Sequence, residues 1–149
     1  MRTPWGNSQD EQVILAGVLT AVSTASHGGF FVHKDYRTDV RPSPTLNSTT
    51  WFEEDCDWAV AWLDLHDVLS TNKSELRSYY RDNFDQITDQ AKGYIETYFP
   101  DLPEMNTCYD CGYKSTDKGE FTLINIEKPS SDYPGYEGDL ACWSCVGKQ

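Results

Sequence analysis

Two cysteine pairs, Cys108-x2-Cys111 and Cys142-x2-Cys145, constrain what this chain folds into more than any other feature of its sequence. Two residues between thiolates let the backbone close into a tight knuckle, with both sulfurs about 2.3 Å from one ion. Gly112 follows the first pair and admits the backbone conformation such a knuckle requires. Two knuckles complete a tetrahedral four-sulfur shell, which is closed and therefore structural rather than catalytic. Zinc is the metal this pattern favours. The competing reading is four reduced thiols or a redox pair.

The fifth cysteine, Cys56, stands alone among Glu53, Glu54, Asp55 and Asp57. A nucleophilic thiol wants basic neighbours, so Cys56 reads as a small apolar core residue. Five cysteines, four of them in close pairs, fit a metal site better than a disulfide framework. The N-terminal residues lack a hydrophobic signal core, and no apolar run approaches the roughly 20 residues of a membrane helix. The expected compartment is the cytoplasm, with the thiols reduced.

The order of patterns along the chain predicts an α+β fold: a small antiparallel sheet, two or three helices, and a C-terminal zinc-ribbon-like module. Gln12–Leu15 and Val18–Val22 are β-favouring runs broken at Ala16-Gly17, a hairpin signal. Phe30 to Val32 gives a third strand after the turn at Ser26 to Gly29, and residues 35–50 read as a long polar loop. Trp58, Trp62, Leu65 and Leu69 recur at helical spacing, with Glu53-Glu54-Asp55 placed as the acidic first turn. A second helix is expected from an N-cap at Ser74 to a stop at Pro100. Tyr80, Phe84, Ile87, Ala91, Tyr94 and Tyr98 form its apolar face, with Asp82, Asp85, Asp89 and Glu96 opposite. The domain boundary falls between a body, 1–104, and a metal module, 105–149, expected to pack on it.

Charge narrows the partners. Twelve Lys+Arg face twenty-four Asp+Glu, a formal net of -12, and four thiolates around one divalent ion would deepen it. Such a surface repels nucleic-acid phosphates and anionic lipid, so direct nucleic-acid binding and membrane attachment are disfavoured. Binding to a basic protein surface or mimicry of nucleic acid remain, beside plain solubility. Asp82, Asp85 and Asp89 are the candidate partner-binding carboxylates.

One segment has the residue types of a chemical site. In Thr24-Ala25-Ser26-His27-Gly28-Gly29, the glycines would let backbone N–H groups approach a ligand, His27 could act as base or metal ligand, and Ser26 could donate or attack. Glu54 and Asp55, with Glu53, lie on another element and could meet His27 in space, binding a divalent metal or activating water. The plainer reading is a Gly-Gly turn capped by His27 and a helix started by the acids.

Three motifs carry a resemblance: Thr3-Pro4-Trp5-Gly6-x-Ser8-Gln9, Ser23-Thr24-Ala25-Ser26-His27-Gly28-Gly29-Phe30 and Glu53-Glu54-Asp55-Cys56-x-Trp58. Together they resemble an uncharacterised domain family of phage and mobile-element proteins over roughly residues 1–100. The resemblance implies context and no catalytic residues, and the cysteine tail reads as an addition to that domain. In the tail, Cys108-Tyr109-Asp110-Cys111-Gly112-Tyr113 resembles the first knuckle of rubredoxins, which implies iron and electron transfer. The second knuckle, Cys142-Trp143-Ser144-Cys145-Val146, lacks the Pro and Gly usual there, which keeps zinc ahead. The leading functional expectation is a small acidic phage accessory protein that binds, and so inhibits, a host defence or nucleic-acid enzyme through a basic surface. The alternatives are a hydrolase centred on His27, Glu54 and Asp55, and a rubredoxin-like electron carrier.

Overall fold

A computed structural model describes residues 1–107, 114–116, 121–123 and 140–142. The chain divides into two compact units, Met1–Leu102 and Pro103–Gln149. The first is α+β, as its patterning predicts.

Its centre is a four-stranded antiparallel meander of β3 (Asp10–Leu15), β4 (Leu19–Ser23), β5 (Gly28–Val32) and β6 (Trp51–Glu53). A small antiparallel hairpin, β1 (Arg2–Thr3) with β2 (Gly6–Asn7), precedes it. The β3–β4 turn falls where Ala16-Gly17 placed it, and Gly17 takes φ +74°, a conformation that only glycine adopts without cost. The register shifts between Val13 and Leu15, a bulge that buries Ile14 and Leu15 together.

Residues paired across antiparallel strands share a face of the sheet. Leu19 pairs with Val32, Ala21 with Phe30, and Phe30 with Phe52. That face is packed by α1 (Trp58–Asp64), on which α4 (Phe84–Tyr98) packs in turn, with α2 (His66–Thr71) and α3 (Ser78–Asp82) beside them. Trp62, Leu65 and Leu69 are fully buried, as is Ala91 from α4, and Phe84 and Ile87 are buried beside it. The indole Nε1 of Trp62 donates to Thr88 Oγ1 at 3.0 Å, and that hydroxyl donates to Phe84 O at 2.9 Å. The polar tip of the largest core side chain is thereby satisfied.

The long loop, 35–50, is polar but not loose. Arg41 donates from Nη2 to Asp64 Oδ1 at 2.8 Å and from Nε to Oδ2 at 3.1 Å, and its amide reaches Oδ2 at 2.8 Å. This largely buried bidentate pair fastens the loop to the end of α1. Thr45 makes a second tie, donating to Asp57 just before that helix.

Two expectations need correction. Glu53-Glu54-Asp55 does not open a helix: Trp51 and Phe52 pair with Phe31 and Phe30 as an edge strand, and α1 begins only at Trp58. The stretch from Ser74 is not one helix. Ser74 lies in a 3-10 turn, Lys73–Glu75, the chain extends at Leu76 and Arg77, and Asn83 separates α3 from α4. The extended segment is held because the Arg77 amide donates to Ile14 O at 3.0 Å, docking it on β3. Asp82 therefore belongs to α3, whereas Asp85 and Asp89 belong to α4.

In the second unit, β7 (Asn106–Thr107) pairs with β8 (Lys114–Ser115), and β9 (Phe121–Leu123) with β10 (Leu140–Cys142), both antiparallel. The residues joining β7 to β8, which include Cys108 and Cys111, lie outside the described residues, as does Cys145. No helix among the described residues is long and apolar enough to cross a membrane.

Candidate functional site

The helix-packed face of the sheet continues beyond the helices. Toward the β4–β5 turn its residues change from apolar to polar: Gln12 pairs with Ala21, Asp10 with Ser23, and Ser23 with Gly28. By the same alternation that buries Leu19 and Val32, the side chains of Asp10, Gln12 and Ser23 point to the helix side, where nothing apolar is required of them. Over this end lies an open cleft of about 330 Å³. Phe30, Trp58 and Tyr80 line it with aromatic surface, and Asp10 and Glu54 bring one carboxylate each from opposite edges of the sheet.

Its aromatic wall is braced from behind. Phe30 meets Trp58 edge-on at 6.2 Å between ring centroids and Tyr80 at 6.4 Å, and Trp58 rests on Tyr94 at 5.4 Å. Burial raises the Tyr80 phenol above its ordinary pKa, with nearby Tyr79 adding to the shift and Arg77 opposing it, so the ring stays neutral. Asp10 accepts from Gln12 Nε2 at 3.0 Å. The Glu54 amide donates to Gly28 O at 3.0 Å, which seats the residue over the glycine.

The Gly-Gly pair has an internal explanation. A Cβ on Gly28 would lie 2.7 Å from Glu54 Oε2. A Cβ on Gly29 would lie 2.3 Å from Phe52 O and 2.6 Å from the Trp5 ring. The room the glycines leave is filled by this chain's own carboxylate, backbone and indole. The turn before them is closed by Thr24 rather than by the histidine ring: the Thr24 amide donates to His27 O at 2.7 Å, and the His27 amide to Thr24 Oγ1 at 3.1 Å.

His27 and the acidic segment do meet. His27 Nδ1 lies 3.2 Å from Glu53 Oε1, with the imidazole about half exposed at 48% and Glu53 at 20%. The partner is Glu53, which shares the opposite sheet face with Gly29, and not Glu54 or Asp55. Glu54 turns to the cleft, and Asp55 is exposed. Ser26 is exposed on the turn. Among the described residues, no group of three or more His, Cys, Asp or Glu is arranged to hold a metal.

Between strand and helix sit Cys56 and Asp57. The Cys56 thiol is pushed up by burial first, then by Asp55, Asp57 and Glu53, which keeps it protonated and poorly nucleophilic at neutral pH. Asp57 is fully buried. Its Oδ2 accepts from Thr45, while Oδ1 has no hydrogen-bond partner among the described residues. Burial raises its pKa; the Thr45 hydroxyl and the nearby amides of Thr45 and Glu53 oppose the rise, although neither amide reaches Oδ1 in hydrogen-bond geometry.

The three candidate partner-binding acids are exposed. Asp82 pairs with Arg81 at 3.2 Å on the surface, and Asp85 and Asp89 stand on the outer side of α4. Of the four metal-ligand candidates, only the backbone of Cys142 falls within the described residues, at the end of β10.

Sequence reasoning did not single out Asp10, Gln12, Ser23 or Tyr80 as neighbours in one cleft. The signal was available as period-two alternation across Asp10, Gln12 and Ile14, but only the pairing register shows which residues of β4 and β5 join them.

Comparison with known proteins finds one family model, described as "Domain of unknown function (DUF7007)", matching residues 1–104. No curated protein and no solved structure matches the chain.

Proposed function

The chain belongs to the DUF7007 family, a domain of unknown function, and on that premise we propose that it is a small acidic phage accessory protein. It binds a host protein through a basic surface and inhibits it, the target being a defence or nucleic-acid enzyme in the host cytoplasm. The observation that carries this reading is the open cleft, whose lining among the described residues includes two carboxylates, three aromatic rings and no Lys, Arg or His. The exposed carboxylates of Asp82, Asp85 and Asp89 supply a second negative surface, and the net charge of -12 sets the long-range field.

The tail contributes structure. Cys108, Cys111, Cys142 and Cys145 hold one zinc, and the short paired strands that flank the first cysteine pair are consistent with a knuckle. Elemental analysis of protein prepared without chelator should return one zinc per chain; iron would revive the electron-carrier reading, and no metal would remove the site.

The test of binding starts by identifying the partner through crosslinking and mass spectrometry in expressing cells. Its association is then compared with that of the Asp82→Asn, Asp85→Asn, Asp89→Asn triple variant. Carboxylates steer a basic surface during encounter, so the variant should associate more slowly and with a weaker salt dependence. Unchanged kinetics at low salt would reduce this face to a solvated surface.

A hydrolase is the second reading, favoured by one observation, the His27–Glu53 contact at 3.2 Å. A carboxylate that orients an imidazole is the arrangement a general base needs. If that reading holds, His27→Ala abolishes function with the melting temperature nearly unchanged.

A further inference from the structure

We propose that the cleft at the open end of the sheet takes the guanidinium of an arginine side chain presented by a partner protein. This rests on the reading of the chain as a binder of a basic protein, and it gives that binder its anchoring site.

Charge selects a cation. Asp10 and Glu54 both line the cleft, and no basic residue among the described ones shares it with them. The only hydrogen bond to either side chain among the described residues is the one from Gln12 to Asp10. Asp10 on β3 and Glu54 just after β6 flank the cleft from the two edges of the sheet, and together their charges make it attractive to a cation.

Shape and surface select arginine. The remaining wall is aromatic, and a cation over an aromatic face is attracted by the ring quadrupole. A guanidinium is flat, stacks on such faces and carries five donors, whereas an ammonium is a compact, strongly hydrated point charge. The carboxylates, the Gln12 amide oxygen and the Ser23 hydroxyl offer acceptors around that plane. A volume of about 330 Å³ is at the small end for binding pockets, which suits one long side chain rather than a large ligand.

The site is preformed. Phe30 is fixed in the sheet, Trp58 is braced between Phe30 and Tyr94, and Gly28 leaves the space that Glu54 occupies. Little ordering is left for the ligand to impose, which favours binding.

The experiment is an NMR titration of the full chain at low salt, with the Trp58 indole N–H identified from the Trp58→Phe spectrum. The probes are the acetylated amides of arginine, citrulline and lysine, together with methyl glucoside. Citrulline keeps the shape of arginine without its charge. Arginine should shift the Trp58 indole and the Gly29 amide saturably, and citrulline should bind at least about tenfold more weakly. Glu54→Gln should weaken arginine by about tenfold as well. Equal binding of citrulline, or lysine matching arginine, overturns the assignment. A response to the glucoside without one to arginine makes this a carbohydrate cleft and overturns it too. Arginine shifts confined to Asp82–Asp89 overturn the cleft alone; the wider binding reading then stands or falls on the triple variant's association kinetics.

Discussion

Along the helix-packed face of the sheet, the end at the β3–β4 turn and the end at the β4–β5 turn are built from the same strands and differ in what covers them. At the first, Leu19 and Val32 face each other, fully buried, in the core shared with α1 and α4. At the second, Asp10, Ser23 and Gly28 occupy the equivalent positions, and an open cleft walled by Trp58 of α1 and Tyr80 of α3 takes the place of close packing. The difference teaches where a core stops. Alternation continues through both ends, and the residue types decide whether the inward face is packed or left to a ligand. Stability should therefore reside at the covered end and recognition at the open end.

The strongest way to break that comparison is at the covered end. Trp62 is the largest fully buried side chain among the described residues, and its indole is hydrogen-bonded to Thr88. Trp62→Ala should cost about 3–5 kcal/mol of unfolding free energy, read from urea denaturation. A loss under about 1 kcal/mol would mean that α1 and α4 do not carry the fold.

The boundary between the ends is tested by the two glycines. Gly29→Ala drives a Cβ into Phe52 O and the Trp5 ring, so backbone must move, at a cost of about 1–3 kcal/mol. Gly28→Ala meets only the end of the Glu54 side chain and the Val22 carbonyl at 3.0 Å. It should cost less and displace the Glu54 carboxylate. Equal costs would show that Glu54 is held as rigidly as the strand.

A smaller effect comes from the turn joining sheet to helix. Burial holds the Asp57 carboxyl above its ordinary pKa of 3.8, so the folded state binds that proton more tightly than the unfolded chain does. The group's contribution favours folding below about pH 3.8 and is lost as pH rises through the folded value. Asp57→Asn removes this dependence while its side-chain oxygen still accepts from Thr45. The wild-type-minus-variant difference in stability should fall as pH rises through that window, leaving the variant at least as stable at neutral pH. A variant clearly weaker at neutral pH would show that the charged bond to Thr45 outweighs the burial.

The covered end was legible in the sequence, because hydrophobic spacing reports burial directly. The hairpin at Gly17, the strand at Phe30 and the inward row of Trp62, Leu65 and Leu69 all follow from local pattern. Element boundaries were harder. Glu53-Glu54-Asp55 has the composition of a helix start, and only cross-strand pairing of Trp51 and Phe52 with β5 makes it a strand end. The break at Asn83 was hidden because Tyr80, Phe84 and Ile87 keep helical spacing across it. The open end was illegible for a different reason. Asp10, Ser23, Glu54 and Tyr80 are distant in sequence, and register brings them to one cleft without any local signature. His27 was expected near the segment 53–55 from motif character alone, with Glu54 and Asp55 as its candidate partners; the contact falls on Glu53 because the β5–β6 pairing sets which acid shares its face.

The division of labour between the two ends is most directly tested by the double variant Asp10→Asn, Glu54→Gln, with melting temperature and arginine binding measured on the same preparation. Both side chains serve the open cleft and neither belongs to the apolar core, so stability should stay within about 0.5 kcal/mol of wild type. Arginine should lose its preference over citrulline. A variant that melts well below wild type yet still prefers arginine would contradict the account, placing these carboxylates in the framework and recognition elsewhere.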